Sequence, residues 1–154
     1  MVSISLKIVI NMSSRVVDKG AFDILKIIDE FLRKNSDGRS GAILIFIGIA
    51  RRKGLHDKDV TKLLIESYRE MANEKLREIS ADLIKKYDLN DCLIVHAEGE
   101  FNIGEPLVFV GIAKQHRDNL FDAMSEAIVR YKTEPPLFKK EIYKNGSGEW
   151  ISSK

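Results

Sequence analysis

The residues of this chain best suited to chemistry are basic, and they gather beside predicted loops at three places. They are Arg51, Arg52 and Lys53, then His116 and Arg117, and finally Lys132, Lys139 and Lys140. Loops held by a rigid sheet often carry function, and a helix start, as predicted at His116 and Arg117, offers free N–H groups to an anion. Binding of an anion is the chemistry that these residue types support.

Each group also has an ordinary structural interpretation. A run of three basic residues is typical of a solvated loop, and Lys132, near the predicted end of a helix, can offset the helix dipole. His116 taken alone is typical of a surface or capping position. If Lys139 and Lys140 lie in a strand, their side chains point to opposite faces, so only one of them can share a pocket from a given face.

The composition argues against several other kinds of site. Lys and Arg number 25 against 23 Asp and Glu, too even a balance for a protein that grips nucleic acid by bulk charge. The three histidines show no metal-ligand spacing, and the single cysteine, Cys92, leaves neither a disulfide nor a CxxC pair. Cys92 lies in the apolar run CLIV, where we expect a core position. The motifs GxSxG, GxxxxGKS, GxxxxGKT, GxGxxG and HExxH do not occur.

Hydrophobic periodicity predicts the elements that must position the basic groups. Strands are expected at residues 3–10, 41–50, 60–68, 92–100, 106–114, 137–143 and 149–152, and helices at 20–34, 71–87 and 117–131. The apolar run at 41–50 suits a buried central strand, and the polar segment RRKGLHDKD after it is expected to be mobile. The connection at 101–105 and the turn KNGSG predict two antiparallel hairpins, while Pro135 and Pro136 end the third helix.

These elements predict one α+β domain over residues 1–154, with a mainly antiparallel or mixed sheet, three helices and a C-terminal β-hairpin. A hydrophobic content of 44% is ample for a core. No run of roughly 18 apolar residues occurs, and the apolar stretch at the start is too short for a signal peptide. We therefore expect a cytoplasmic protein without a membrane segment. From its residues alone, the chain is an anion-binding α+β domain.

Five segments stand in a specific order and spacing. They are GAILIFIGIAR (41–51), IESYREM (65–71), GEFNIGEPLVFVGIAKQHR (99–117), YKTEPPLFKKE (131–141) and GEWI (148–151). Together they resemble the large, catalytic subunit of molybdopterin synthase, the MoaE family. The combination is far more specific than any one segment, and it spans most of the chain from Gly41 onward; the N-terminal strand and helix match in type only.

The resemblance implies roles for five residues. The family's essential lysine, in its Lys-Thr motif, corresponds to Lys132, and the lysine after the proline-containing loop corresponds to Lys139. Both are expected to be catalytic. The family's His-Arg pair corresponds to His116 and Arg117, and the arginine that ends the apolar strand corresponds to Arg51. These three are expected to bind the anionic substrate.

The chain departs from the family pattern at three positions. Arg52 stands where the family often has asparagine, Phe138 where it often has tryptophan, and Ser67 where many members have His or Glu. Phe138 keeps an aromatic wall but lacks the indole N–H, so these changes concern the details of substrate contact. Neither of the two lysines is affected.

The resemblance also implies the reaction and its partners. A ubiquitin-like small subunit ends in Gly-Gly carrying a thiocarboxylate, and its tail threads into a pocket of the large subunit. The sulfur attacks a cyclic pyranopterin monophosphate in two rounds to give a dithiolene, with no metal or cofactor in this subunit. Because both reactants are anions, a cluster of the five basic residues would offset their repulsion, and crowding would lower the pKa of a lysine. Family members are homodimers with a small subunit at each end, forming a heterotetramer.

Two other functions are open at this point. One is a non-enzymatic anion-binding or regulatory module of the same fold, and the other is an RNA-binding domain, which the even charge balance disfavours. Retention of both Lys132 and Lys139 at the family's spacing favours the enzyme. Either lysine buried in an ion pair far from any pocket would favour the module.

Overall fold

The computed structural model describes residues 13–152, so the strand predicted at residues 3–10 lies outside the described part of the chain. The described strands are β1 (Arg15–Asp18), β2 (Ala42–Ile49), β3 (Val60–Ser67), β4 (Asp91–Asn102), β5 (Pro106–Lys114), β6 (Leu137–Tyr143) and β7 (Gly148–Ile151). The helices are α1 (Ile24–Lys34), α2 (Arg69–Tyr87) and α3 (Leu120–Thr133), with 3-10 turns at Lys19–Ala21 and Leu55–Asp57. The predicted α+β class, with three helices and a C-terminal hairpin, is confirmed.

The strands form one mixed sheet in the order β2-β5-β4-β3-β6-β7, in which all these neighbours are antiparallel. β1 lies parallel to β4, beside its residues 95–98. β4 pairs with β5 along residues 91–96 and with β3 along residues 99–102. At the change of neighbour stands Gly99, whose φ of +130° is a conformation that a residue with a side chain rarely adopts. β4 is thus the strand that joins the two halves of the sheet.

Helices cover the sheet on both faces. On one face, Ile27 and Phe31 of α1 pack against side chains of β4 and β5, and the rings of Phe31 and Phe109 meet edge to face. On the other face, α2 and α3 supply the larger cluster, which includes Leu76, Leu83 and Tyr131. Two covered faces explain why β4 and β5 are apolar almost without alternation, although their pairing is antiparallel.

β2 was expected to be a buried central strand, and this position is wrong. The strand itself forms, but among residues 13–152 it pairs only with β5 and so stands at one end of the strand order. From Ala42 to Phe46 its side chains are partly buried, because Ile43 and Ile45 pack on the α1 side and Leu44 and Phe46 on the other, whereas Ile47 and Ile49 are exposed. Apolar contacts on both faces, rather than a central place, therefore account for the first part of the apolar run.

The ends of the helices follow from local chemistry. The side chain of Asp23 accepts a hydrogen bond from the backbone N–H of Lys26 and caps α1. α3 ends at Thr133, just before two prolines that cannot continue the helix. α3 begins at Leu120 rather than at Arg117, because Asn119 adopts a left-handed conformation immediately before it. No helix within residues 13–152 is both long and apolar enough to cross a membrane.

Candidate functional site

Three of the five predicted site residues converge at one end of the sheet. Arg51 follows β2 and is exposed, and Lys132 is exposed in the last turn of α3. Lys139 lies in β6 between Ile65 of β3 and Ile151 of β7, and it is half-buried. Two other parts of the chain thus bring positive charges, those of Lys132 and Arg51, close enough to act on Lys139.

The surroundings of Lys139 change its acidity. Burial, followed by the positive charges of Lys132 and Arg51, lowers the pKa of its amino group to about 8. Such an amine exchanges its proton easily near neutral pH. The neighbouring Lys140 has a different environment, since its ammonium lies 5.7 Å from the centre of the Trp150 ring. Both lysines lie in β6, so the condition under which we expected their side chains to point to opposite faces, a strand, is met.

A cleft of about 580 Å³ opens beside Lys132. Its walls come from the α3–β6 connection, the start of α2 and the C-terminal strand. They are formed by Met71, Lys75, Lys132, Thr133, Glu134, Pro135, Pro136, Leu137, Phe138, Ile151 and Ser152. Phe138 contributes an aromatic wall and meets the ring of Tyr68 edge to face, with centroids 5.5 Å apart. Lys132 thus belongs both to the cleft and to the group of charges around Lys139.

The loop that carries Arg51 was expected to be mobile, but it is fastened to β6. The backbone N–H of Leu55 donates to a carboxylate oxygen of Glu141 at 3.1 Å, and Glu141 is only 3% exposed. A side chain at Gly54 would collide with this carboxylate, since a Cβ there would lie 1.7 Å from it. Lys53 adds an ion pair to Asp59 across the base of the loop, at 2.8 Å. These contacts hold the residues just after Arg51.

His116 and Arg117 do not join this group within the chain. They are exposed in the turn after β5, whose last residue, Lys114, is paired with the first residue of β2. Arg51 follows the opposite end of β2, so the two groups are separated by the length of that strand, roughly 25 Å at about 3.4 Å per residue. Within one chain, the five basic residues therefore do not form a single cluster, because β2 and β5 run antiparallel.

Two buried polar residues near the site escaped the sequence analysis. Glu141 stands at the end of the KKE run, where a charge beside two lysines is typical of a solvated strand, and His96 stands in an apolar run typical of a core strand. His96 is completely buried. Burial, followed by the charge of Lys139, lowers its pKa to about 3. An unexpected polar residue inside an apolar run was the available signal.

Cys92 occupies the core position predicted for it. It is buried, and burial raises the pKa of its thiol to about 12, so the thiol stays protonated at neutral pH. Ser67, at one of the positions that depart from the family pattern, donates a hydrogen bond to Glu98, which also pairs with Arg69. Within residues 13–152, no three His, Cys, Asp or Glu side chains lie together as metal ligands would.

Comparison with known proteins adds independent information. Residues 17–134 match the family model described as MoaE protein. A molybdopterin synthase catalytic subunit from Pyrococcus abyssi is 32% identical over 124 residues, which cover 80% of this chain and 82% of that protein. A molybdopterin synthase structure from Staphylococcus aureus shares the fold, with a TM-score of 0.78 over 90% of this chain and 96% of that chain, at 24% identity. The fold also recurs in the complex of subunits 1 and 2 of the Helicobacter pylori molybdopterin-converting factor, with a TM-score of 0.72 over 91% of this chain and 89% of that chain, at 17% identity.

Proposed function

This chain belongs to the MoaE family of molybdopterin synthase catalytic subunits, and on that premise we propose that Lys132, Lys139 and Arg51 form the centre at which it transfers sulfur. The reaction belongs to molybdenum cofactor biosynthesis: sulfur passes from the thiocarboxylate of a small subunit to cyclic pyranopterin monophosphate. The assignment of Lys132, Lys139 and Arg51 to this reaction is our proposal. The observation that carries the proposal is the lowered pKa of Lys139 beside two further cations.

The roles of the three cations follow from the charges of the reactants. A thiocarboxylate and a pterin phosphate repel each other, so Arg51 and Lys132 lower the energy of bringing them together. Lys139, whose pKa of about 8 allows both protonation states near neutral pH, gives or takes the proton as the new carbon–sulfur bond forms. The loop held by Glu141 keeps Arg51 in place for this task.

The cleft beside Lys132 suits the tail of the small subunit. Six of its eleven lining residues are apolar, and the lining includes Lys132, a positive charge that an anionic tail terminus would meet. β7 borders the cleft through Ile151 and, among the described strands, pairs only with β6. An extended Gly-Gly tail can add to this strand through main-chain hydrogen bonds, because glycines need no room for side chains. The assembly of two subunits in the Helicobacter pylori protein supports a partner of this kind.

A homodimer would reunite the separated basic residues. Since Arg51 and the pair of His116 and Arg117 lie at opposite ends of β2, two copies related by a twofold axis and packed antiparallel would bring the pair of each copy to the cations of the other. We propose this arrangement for the homodimer core of a heterotetramer, with the pair binding the phosphate of the pterin. We also propose one domain over residues 1–154 and a cytoplasmic location.

Mixed dimers test the shared site. The mixed dimer contains one Lys139→Ala copy and one Arg117→Ala copy. If the site is shared between copies, one of the two sites in this dimer keeps both Lys139 and Arg117. If each site lies within one chain, both sites lack one of these residues. We expect the mixed dimer to recover turnover that both parent homodimers lack. A mixed dimer as inactive as its parents would refute the sharing.

The catalytic assignment is tested by conversion of the pterin substrate with a thiocarboxylated small subunit. We expect Lys132→Ala and Lys139→Ala each to lower turnover by about 100-fold or more. Lys140→Ala is the matched control, because it removes an equal charge from the neighbouring position and leaves the three cations intact. Near-normal turnover in the first two variants would reject the assignment and favour an anion-binding module without catalysis.

A further inference from the structure

His96 is a buried ionisable residue to which the proposed reaction gives no task. It lies in β4, and none of its surface is exposed. Its ring meets the ring of Tyr131 at an angle of 62°, with centroids 5.9 Å apart. Tyr131 directly precedes Lys132 in α3, so the imidazole lies beneath the helix turn that presents one of the two proposed catalytic lysines.

The hydrogen bonds of the ring fix its tautomer. Nδ1 lies 2.8 Å from the carbonyl oxygen of Ala97, and a carbonyl oxygen can only accept. Nδ1 therefore carries the proton, and Nε2 keeps a free lone pair. Since burial, followed by the charge of Lys139, lowers the pKa of this imidazole to about 3, Nε2 remains an acceptor near neutral pH.

This acceptor has no hydrogen-bond partner within residues 13–152. A buried polar atom without a partner costs free energy, so such atoms in folded proteins usually have a functional reason or a transient partner. The charged side chain that acts on His96 is Lys139. Lys139 of β6 stands in the same row of the sheet as Ile65 of β3 and Gly99 of β4, and Gly99 is three residues after His96. The other charges acting on Lys139 are Lys132 from α3 and Arg51 from the loop after β2, and both can only donate hydrogen bonds.

We propose that His96 is a positioning residue for sulfur transfer, whose Nε2 is linked by hydrogen bonds to the amino group of Lys139 through one water molecule. This link orients the amine so that its remaining protons, or its lone pair, face the substrate. This inference rests on the catalytic role proposed for Lys139. Because this link stabilises the charged amine better than an apolar neighbour would, it also keeps the pKa of Lys139 from falling further.

The wild-type protein provides the first test. Its histidine side chains are labelled with ¹⁵N, and the two ring nitrogens of His96 are followed by NMR from about pH 6 to pH 10, a range that brackets the pKa of about 8 for Lys139. We expect Nδ1 to be protonated throughout, and the Nε2 resonance to move as Lys139 loses its proton. The movement should vanish in Lys139→Met. A proton on Nε2, or an Nε2 resonance indifferent to Lys139, would overturn the proposal.

Two substitutions of His96 provide the second test. His96→Phe keeps a buried ring but no acceptor, and His96→Gln keeps an amide oxygen at similar reach. We expect His96→Phe to lower kcat by about tenfold or more with little change in KM, and to move the titration of Lys139 to lower pH. His96→Gln should recover much of the loss. Val95→Ala controls for the loss of packing, because the Val95 side chain is as buried as that of His96 and lies on the opposite face of β4.

The two proposals fail in different ways. A folded His96→Phe variant with normal kcat and an unmoved pH profile would refute the role of His96. If His96→Phe does not fold, the titration of the wild-type protein still decides. Normal turnover in Lys139→Ala would instead refute the catalytic role of the lysine, whatever the NMR experiment gives.

Discussion

Replacing Lys139 by methionine should make the protein more stable and inactive at once. Methionine keeps most of the length of the side chain and removes the charge that burial and two cations disfavour. In the unfolded chain this lysine has a pKa of 10.5, and in the folded chain a pKa of about 8. At about 1.4 kcal/mol for each tenfold change in proton affinity, the charge destabilises the folded protein by about 3 kcal/mol near pH 7.

The difference in stability between Lys139→Met and the wild type should depend on pH. Below the folded pKa of about 8 the lysine is charged in both states, and the cost of burying the charge is fully present. As the pH rises from about 8 towards 10.5, the folded protein binds fewer protons than the unfolded chain, so the cost disappears. The stability advantage of Lys139→Met should therefore be largest near pH 7 and should vanish near pH 10.5.

Urea unfolding at a fixed protein concentration, repeated across this pH range, measures the advantage. Lys140→Met is the matched control: it loses the contact with Trp150, so it should be about 0.5–1 kcal/mol less stable, with no such pH dependence. If Lys139→Met is less stable than the wild type at pH 7, or if its advantage does not change with pH, then Lys139 does not carry a disfavoured charge. The explanation offered for its acidity would then be wrong.

Three further predictions concern the donor, the loop and the partner. Cys92→Ala should keep full turnover and lose about 1 kcal/mol of stability in thermal unfolding, since its buried thiol supplies no sulfur; a folded but inactive variant would contradict this. Gly54→Ala should displace the Glu141 carboxylate, lower the free energy of unfolding by about 1–3 kcal/mol and speed hydrogen exchange at the backbone amide of Leu55. Gly20→Ala should have none of these effects, because there is open space around Gly20. Removal of Gly-Gly from the small subunit should weaken binding in calorimetry and stop turnover, and added salt should slow association; unchanged affinity and turnover would exclude a tail in the cleft.

Much of the fold could be predicted from the sequence because its signals are local. The hairpin of β4 and β5 and the stop of α3 before Pro135 each depend on a few neighbouring residues. The position of β2 depends on which strand lies beside it, and periodicity does not report this. A strand covered by helices on both faces has the same apolar sequence whether it stands in the middle of the sheet or at its end.

The candidate site was predictable in its residue types and less so in its geometry. Arg51 follows β2 and His116 follows β5, so whether they meet within one chain depends on the relative direction of these strands. The sequence does not state that direction, and the antiparallel pairing separates them. Glu141 was missed because its hydrogen-bond donor, Leu55, is distant in sequence, and His96 because the residue whose charge acts on it, Lys139, is also distant. No local pattern reveals such relations.

The placement of β2 has a consequence for how the chain is made. Its sequence, AILIFIGI, is uncharged, lacks proline and is rich in strand-forming residues, a composition prone to intermolecular β-pairing. A ribosome must synthesise β3, α2 and β4 before β5, the strand that pairs with β2, emerges. Throughout that interval β2 is unpaired in the nascent chain and prone to aggregation. The yield of folded protein in cells should therefore depend on chaperone capacity and on the rate of translation between β2 and β5.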